Sequence, residues 1–363
     1  MKQSILWTFL ALAAFLAADS LLFRTGWYGA HLEPNSSAGT LENQLDWLRQ
    51  TPAAQVPEVL VVGDSRIGVG FNAPIADAAA SNQLHFWNFG IAGSTPRVWY
   101  YSLRDADPDR RRFAAIVIAI DRYSDSDWFG LSEDRILDQN FLVMRLGFGD
   151  CIDFVSSIDS MDLRRRALFS CLFRGILLRN DAQAFAANPK ARIKRAEEQR
   201  TRGLQSLSNW EGKPETLRRL AIDWRSRTVQ FPAGVTDAVR AEIADLVRPR
   251  DVPESGALTP YRQRWLGGII DRYRNSPTRL IFLQLPRGPL IDPNDRRETP
   301  GAARFVASAA RSPRVSVLRA DLFADLERPE LFADALHLNR DGRPIFTARL
   351  AQQVDAIVKG GRR

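Results

Sequence analysis

The sequence predicts an α/β protein in which helices cover both faces of a parallel β-sheet. Five short apolar runs, several of them rich in β-branched residues, alternate with helical patterns in two parts of the chain. Strands buried on both faces give continuous apolar runs of this kind. A helical segment at 125–255 interrupts the alternation, and a separate apolar stretch opens the chain.

Composition narrows the class of protein further. The chain has 363 residues, of which 45% are hydrophobic and 25% charged, so wholesale disorder and fibrous repeats are excluded. The formal net charge is +8, but the arginines are spread widely without zinc-finger or RNP-like spacing. We therefore expect a solvated basic surface and no nucleic-acid partner. Two cysteines and three histidines leave little material for a metal centre, so we expect no metal and no cofactor.

The N-terminal stretch Ile5–Phe23 predicts an export or anchor segment. Its 19 residues are nearly all apolar, about enough to cross a hydrocarbon core of ~30 Å. A cleaved signal peptide needs small residues before the cut, but Phe15 and Leu16 occupy the −3 positions of the obvious sites. We favour an uncleaved anchor over 1–24, which crosses the inner (cytoplasmic) membrane once and leaves the rest extracytoplasmic, in the periplasm. A cleaved signal is the alternative.

The first half of the α/β pattern follows a predicted linker at 25–56. Turn-forming residues lie near the start of this linker, and a short helical pattern precedes the first strand. The expected elements are a helix at 41–49, a strand at 58–62, a helix at 73–81, a strand at 85–89, a helix at 97–106 and a strand at 114–120.

Residues 125–255 are predicted to form a helical insertion or cap. Helical patterns occur there at 134–144, 161–178, 190–205 and 235–247, without a comparable buried strand. The α/β pattern returns with a helix at 259–273, a strand at 279–285, a helix at 301–310, a strand at 315–318 and a final amphipathic helix at 341–358. The α/β domain is therefore expected to consist of 57–124 together with 256–360.

Both cysteines fall in the insertion. One straight helix from Cys151 to Cys171 would hold them ~30 Å apart and forbid a disulfide. A break near Asp159–Asp162 would remove that objection, so the sequence leaves the state of the two thiols open.

The turn after the first strand holds the first candidate site residue. Gly63-Asp64-Ser65-Arg66 follows that strand directly. A strand that runs into a tight turn exposes the next side chain at the carboxyl edge of the sheet, where the sites of α/β proteins lie. Ser65 is therefore a candidate nucleophile. The alternative is that Asp64 and Ser65 serve only as turn or N-cap residues.

The second candidate group lies just before the last helix. Asp334 precedes His337 by three residues, so its carboxylate can reach Nδ1 across a turn and leave Nε2 facing a nucleophile. His31 is beside the anchor and His85 opens a buried strand, which makes His337 the best general base available. The alternative is a turn-capping Asp334 beside a surface histidine.

Three blocks together resemble the SGNH/GDSL hydrolase family. They are Gly-Asp-Ser after the first strand, Asn88–Thr95 (NFGIAGST) after the second, and Asp-x-x-His before the last helix. The resemblance implies a three-layer α/β/α fold, with Ser65, His337 and Asp334 as catalytic residues. It also implies an oxyanion hole formed by the backbone N–H groups of Ser65 and Gly93.

One family block is missing. The family places an Asn side chain in the oxyanion hole after the third strand, whereas this chain has Asp121-Arg122-Tyr123 there. Losing one such donor costs about 10²–10³-fold in rate. Arg66 or Arg122 could replace it, and Arg287 after the fourth strand could bind an acidic sugar. The alternative for Arg122 is a surface ion pair, and the alternative for Arg287 is an ordinary surface arginine after a strand.

The resemblance therefore leads to two expectations. The first is an extracytoplasmic serine esterase or O-acyltransferase acting on ester-linked acyl groups of an envelope or exported glycan. The N-terminal anchor is similar to that of family members that take part in polysaccharide O-acetylation. If this chain transfers acyl groups, a further membrane protein would be needed to deliver the acyl donor. The second, motivated by the missing Asn, is a catalytically weak or inactive glycan-binding or scaffolding protein of the envelope.

Overall fold

The computed structural model describes residues 2–120, 137–158, 160–202, 219–247, 258–292, 301–309, 312–334 and 336–360. The chain divides into two compact units. The helical unit contains 1–51, 104–106 and 129–203, and the sheet unit contains 52–103, 107–128 and 204–363. The predicted insertion at 125–255 is therefore divided between the two units.

The sheet unit is built on a five-stranded parallel sheet, as the apolar runs predict. The strands are β1 (Glu58–Gly63), β2 (His85–Gly90), β3 (Phe113–Ile120), β6 (Arg279–Gln284) and β7 (Val315–Val317). Their order across the sheet is β2-β1-β3-β6-β7. The chain moves from β1 to one side for β2 and to the other for β3, so the strand order reverses at the carboxyl end of β1. Such a switch point is the usual place for a ligand in an open α/β sheet.

Helices enclose this sheet. The sheet-unit helices are α3 (Ser65–Gly70), α4 (Ala73–Ala79), α5 (Pro96–Ala106, whose last turn belongs to the helical unit), α11 (Asp237–Val247), α12 (Leu258–Tyr273), α13 (Gly301–Ala309) and α14 (Gly342–Gly360). Every residue of β1 is buried. Alternate residues of a strand share one face, and Val59 and Val61 accordingly pack in one core with Phe346, Leu350 and Val354 of α14.

A short antiparallel hairpin lies within 125–255, in addition to the helices predicted there. The hairpin consists of β4 (Ala221–Asp223) and β5 (Thr228–Gln230). Both strands are three residues long and only their middle residues are partly buried, so they leave no apolar run in the sequence. The Asp223 carboxylate accepts hydrogen bonds from the backbone of Arg225 and Ser226, which closes the turn.

The helical unit begins with the apolar helix predicted from the sequence. Its helices are α1 (Lys2–Phe23), α2 (Ser37–Gln50), α6 (Leu137–Leu142), α7 (Phe148–Ser156), α8 (Met161–Leu172), α9 (Gly175–Ala187) and α10 (Pro189–Arg202). Within α1, Ile5–Phe23 is long and apolar enough to cross a membrane, and only 6% of that stretch is buried.

The predicted linker at 25–56 contains a packed helix. Leu41, Leu45 and Leu48 of α2 are fully buried, because they recur at helical spacing and form one apolar stripe. Glu42 on the same helix forms a close ion pair with Arg145 before α7. This part of the chain therefore belongs to the core of the helical unit and is more than a connection.

A break in the helices lets the two cysteines form a disulfide. Helix α7 ends at Ser156, and α8 begins at Met161 with Ser160 as its N-cap. The chain reverses there, and the Cα atoms of Cys151 and Cys171 lie 5.7 Å apart across a disulfide bond. The state that the sequence left open is thus the oxidised one.

The helix predicted at 161–178 is interrupted, which corrects the sequence-based expectation. Helix α8 ends at Leu172, and α9 begins at Gly175. The carboxylate of Asp19 accepts hydrogen bonds from the backbone N–H groups of Arg174 (3.0 Å) and Gly175 (2.7 Å). An acceptor about 150 residues away in the sequence thus satisfies the first free donors of α9 and stabilises a new helix start.

Candidate active site

The turn after β1 presents Ser65 at the carboxyl edge of the sheet. Asp64 is the N-cap of α3, and its carboxylate accepts a hydrogen bond from the backbone N–H of Arg66 at 2.9 Å. This cap ends the strand and begins the helix within two residues. Ser65 becomes the first residue of α3 and remains partly exposed, so its hydroxyl can meet a ligand.

His337 connects Ser65 to Asp334, although 272 residues separate serine and histidine in the chain. The Nε2 atom of His337 lies 2.8 Å from Ser65 Oγ. Its Nδ1 atom lies 2.8 Å and 3.0 Å from the two carboxylate oxygens of Asp334. The structure thus brings together the three residues that the sequence suggested as nucleophile, base and orienting carboxylate. Serine, imidazole and carboxylate in this order form the arrangement that activates a serine for attack.

The turn that carries Asp334 and His337 holds the carboxylate in its charged form. Burial alone raises the pKa of the Asp334 carboxyl group. Hydrogen bonds from the His337 ring and from the backbone N–H of Leu336 outweigh that effect, so the pKa lies below its usual value. The group is therefore ionised at neutral pH and acts only as an acceptor. The proton of neutral His337 then resides on Nδ1, which leaves the Nε2 lone pair facing Ser65.

Asp64 and Arg66 form an ion pair beside the nucleophile. The guanidinium Nη2 lies 2.6 Å from Asp64 Oδ2, and Nε lies 3.1 Å from both carboxylate oxygens. Burial raises the pKa of the Asp64 carboxyl group, but the charge and hydrogen bonds of Arg66 more than compensate and lower it. The Arg66 side chain is only 7% exposed. This guanidinium, predicted as a substitute oxyanion donor, is held by Asp64.

The turn after β2 places Gly93 beside the end of β1. Gly93 has φ of +74°, a conformation that side chains rarely adopt. Ser94 donates from its hydroxyl to the Gly63 carbonyl at 3.1 Å and accepts from the Trp99 indole N–H at 2.8 Å, which fixes the turn. Within the described residues, the backbone N–H groups of Ser65 and Gly93 make no hydrogen bond. Both remain able to donate to a ligand.

Asn88 and Gly90 of β2 support the nucleophile turn in a way that the sequence reasoning missed. The Asn88 amide donates to the carbonyls of Ile67 (3.2 Å), Gly68 (3.0 Å) and Phe71 (2.8 Å). A Cβ atom at Gly90 would collide with the backbone nitrogen of Gly68, so only glycine permits this approach of α3 to β2. The available signal was a polar residue and a glycine in an otherwise apolar strand.

Asn339 supports the histidine turn in the same way. Its amide donates to the carbonyls of Glu330 (2.8 Å) and Phe332 (3.3 Å), and its oxygen accepts from the backbone of Asp341 and Gly342. The side chain is 1% exposed. It therefore ties the segment that contains Asp334 and His337 to the start of α14. Its position two residues after His337 was the only sign in the sequence.

Arg287, predicted to bind an acidic sugar, is paired with a carboxylate. The Arg287 guanidinium makes three hydrogen-bond contacts with the Glu327 carboxylate, from Nη2 at 2.8 Å and from Nε at 3.1 Å and 3.2 Å, and Glu327 is only 4% exposed. This pairing with a buried carboxylate was not among the roles that the sequence suggested for Arg287. Arg122, with the rest of Asp121-Arg122-Tyr123, lies outside the described residues.

The remaining histidines take no part in the triad. His85 bonds through Nδ1 to Asp77 at 2.9 Å at the start of β2, and His31 stacks on Phe185 within the helical unit. Across the described parts of the chain, no group of three or more His, Cys, Asp or Glu side chains could hold a metal ion. Of the two histidines that pair with an aspartate in the described residues named here, His85 and His337, it is His337 that also contacts a serine.

No protein-family model matches the chain, and a search of curated proteins finds no matching sequence. Function is therefore inferred from the residues and their geometry.

Proposed function

We propose that this chain is an SGNH-type serine esterase or O-acyltransferase that acts on ester-linked acyl groups of an envelope or exported glycan. The single observation that carries the proposal is the hydrogen-bonded series from Asp334 through His337 to Ser65, with heavy-atom distances of 2.8 Å at both links. Such a series has one established chemical use, which is to deprotonate a serine as it attacks a carbonyl carbon.

The proposed reaction has two halves. Ser65 Oγ attacks the ester carbonyl while its proton passes to His337 Nε2, and Asp334 stabilises the imidazolium ion that forms. The N–H groups of Ser65 and Gly93 donate to the oxyanion. Collapse of this intermediate expels the alcohol, which takes the proton from His337 and leaves an acyl group on Ser65. Water or a sugar hydroxyl then attacks the acyl-enzyme, with His337 again accepting the proton. The second intermediate collapses by breaking the bond to Ser65 Oγ, His337 returns the proton to that oxygen, and the carboxylic acid or the acylated sugar leaves.

Two further observations support the SGNH-type assignment. The parallel sheet with order β2-β1-β3-β6-β7 places the ends of β1 and β2 side by side, since Gly63 pairs with Gly90. The two blocks that supply Ser65 and Gly93 directly follow these strand ends. The third block, with Asp334 and His337, precedes α14 and is hydrogen-bonded to Ser65. The positions of the three blocks therefore support the roles that we propose for them.

The proposed location is the inner membrane, with a single pass and the bulk of the chain in the periplasm. The apolar helix at Ile5–Phe23 supports the membrane anchor. The disulfide between Cys151 and Cys171 supports an oxidising compartment, because disulfides are rare in proteins of the cytosol. In the transferase reaction, an activated acyl donor would be delivered by a further membrane protein.

The test is covalent labelling of the full chain in detergent with a fluorophosphonate probe. We expect one label on the wild type and none on Ser65→Ala or His337→Ala. Ser308→Ala is the matched serine control, since Ser308 is an exposed serine on α13. His85→Gln is the matched histidine control, because His85 also pairs with an aspartate but has no part in the triad. Both controls should label at the wild-type rate.

Absence of labelling on a folded wild-type protein would refute the enzymatic proposal and favour the glycan-binding or scaffolding alternative. Labelling that survives Ser65→Ala would show that another serine reacts. Once labelling is established, turnover of an aryl acetate with and without added oligosaccharide distinguishes hydrolysis from transfer, because transfer yields an acylated sugar.

A further inference from the structure

The turn between α8 and α9 lies beside the apolar helix α1, within its apolar stretch. The rings of Phe173 and Phe15 are 5.4 Å apart. The backbone N–H groups of Arg174 and Gly175 donate to Asp19. Phe15 precedes Phe23, the end of the apolar stretch, by eight residues, which is ~12 Å of helix. The turn therefore contacts α1 well below the point where a membrane span would leave the hydrocarbon.

The hairpin tip, defined here as residues 168–178, exposes large apolar side chains. Phe169 is 60% exposed and Ile176 is 53% exposed. Ile152, next to the disulfide that ties α7 to this hairpin, is 76% exposed. Exposed side chains of this size carry a cost in water when they cluster, and they mark surfaces that contact lipid or another protein.

The polar groups at the tip are turned inward. Asp19 and Arg174 are 6% and 5% exposed. The Arg174 guanidinium donates to the carbonyls of Phe23 (2.8 Å) and Leu146 (2.6 Å). Groups that lie in a bilayer need partners inside the protein, because hydrocarbon offers none. The tip thus combines an apolar exterior with hydrogen-bonded charges inside, which is the reverse of a surface built for water.

Basic residues lie on α8 just before the hairpin tip. Arg165 and Arg166 are exposed. Arg165 precedes Phe173 by eight residues, again ~12 Å of helix, so the separation matches that between Phe15 and Phe23. Arg24, immediately after the apolar stretch of α1, stacks on Phe148 at 3.8 Å and donates to the carbonyls of Leu146, Cys171 and Leu172, so its guanidinium is bound within the protein and the exposed arginines are those of α8. Arginines at the boundary between apolar and polar surface suit the phosphate groups of a membrane.

We propose that the hairpin tip is inserted into the outer leaflet of the membrane beside α1. Its occupant is lipid: acyl chains surround Phe169, Ile176 and Ile152, and anionic headgroups meet the arginines of α8. The helical unit would then be held by a span and a re-entrant hairpin rather than by a single flexible anchor. This inference does not depend on the proposed catalytic function.

The experiment places an environment-sensitive fluorophore on single introduced cysteines in the full chain. The native cysteines are disulfide-bonded and do not react with the label. The test variants are Phe169→Cys and Ile176→Cys. Leu10→Cys, in the middle of α1, is the membrane control, and Ile193→Cys on α10 of the same unit, 37% exposed, is the water control. The labelled proteins are reconstituted in vesicles of phosphatidylcholine and phosphatidylglycerol.

Quenching identifies what surrounds each label. We expect nitroxides on the lipid acyl chains to quench the labels at 169 and 176 as strongly as the label at position 10, and several-fold more than the label at 193. Aqueous iodide should quench the label at 193 but not those at 169 and 176. Labels at 169 and 176 that behave like 193 while Leu10 responds to lipid would overturn the proposal. Labels shielded from both quenchers would overturn it too, because protein would then cover the tip.

Discussion

Replacing both cysteines by alanine perturbs the helical unit at one defined point. The disulfide closes a loop with a sequence separation of 20 residues. In the chain-entropy description, a loop of this length adds about 3 kcal/mol to stability by restricting the unfolded chain. Alanine is preferred to serine because Cys151 and Cys171 are 1% and 3% exposed, and a hydroxyl group buried there would lack a partner.

Hydrogen exchange on peptides from α7 and α8 measures this loss. A change of about 3 kcal/mol in the free energy of opening corresponds to about a 10²-fold faster exchange in the double variant. Wild type treated with a reductant is the second arm, because it loses the crosslink but keeps both sulfur atoms. Its exchange should rise by a similar factor, which separates the crosslink from any packing defect left by alanine.

A thiol titration completes the test. Denatured wild type should show no free thiol before reduction and two afterwards, since the chain has only two cysteines. Two free thiols before reduction would refute the disulfide. An oxidised protein whose exchange in α7 and α8 is unchanged by reduction and by the double substitution would refute the entropic reasoning.

Three further perturbations address the sheet unit. Asp64→Asn removes the charged acceptor of the Nε and Nη2 hydrogen bonds from the largely buried Arg66 guanidinium, so urea unfolding should show a loss of about 1.5–3 kcal/mol, and an unchanged midpoint would contradict this. Asp64 and Asp334 have a pKa below the usual value, so their contribution to stability is complete above about pH 4 and is lost as the pH falls through the lowered pKa. Unfolding free energies measured over that range should decline, and less steeply in Asp64→Asn. Asn88→Ala removes the donor for three carbonyls and should cost about 1–3 kcal/mol while slowing fluorophosphonate labelling of Ser65; normal labelling would argue against a positioning role.

Asp334 offers a separate check on the proposed chemistry. Asp334→Asn keeps the size of the side chain but removes the charge that orients His337. We expect ester turnover to fall by about 10³–10⁴-fold, as carboxylate-to-amide changes do in other serine triads. Asp77, which pairs with His85 at the start of β2, provides the control, and Asp77→Asn should leave turnover unaltered. Equal losses in both variants would indicate a general effect on folding.

The strands were predictable because their signal is local. The run 114–120 is apolar throughout and 58–62 is apolar after Glu58, and the structure contains β3 and β1 there with shifts of one residue at the ends. The hairpin β4–β5 was missed because each strand is too short to bury a run. Periodicity along the sequence reveals an element only when one of its faces is buried, and these two strands have little buried surface.

The helical unit shows where local patterns fail. The helical pattern in the sequence continues from 161 to 178, yet helix α8 ends at Leu172. A new helix, α9, begins after it because Asp19 of α1 accepts hydrogen bonds from its first backbone N–H groups. The turn between α7 and α8 likewise decided the cysteine pairing. Both outcomes depend on contacts between segments more than a helix length apart, which no window of sequence contains.

In the candidate site, too, the sequence predicted the residues but not all of their partners. Residue types and their places after strands were enough to nominate Ser65, His337 and Asp334. The same reasoning could not decide whether Arg66 and Arg287 face a ligand or an ion-pair partner, and the structure shows Asp64 and Glu327 bound to them. A guanidinium forms an ion pair with a carboxylate that the fold brings close to it. The order of residues in the sequence does not give the distance between the two groups.

By itself, the sequence determined the buried parallel strands, the apolar N-terminal helix and the chemistry available at the strand ends, because each is a property of a short segment. The tertiary structure alone decided that His337 reaches Ser65 across 272 residues, that the cysteines pair and that Asp19 caps the start of α9. These are distances between remote segments. They depend on how the packed elements satisfy one another's buried polar groups and bury apolar surface from water. Both effects involve segments from the whole molecule, so no short segment determines them.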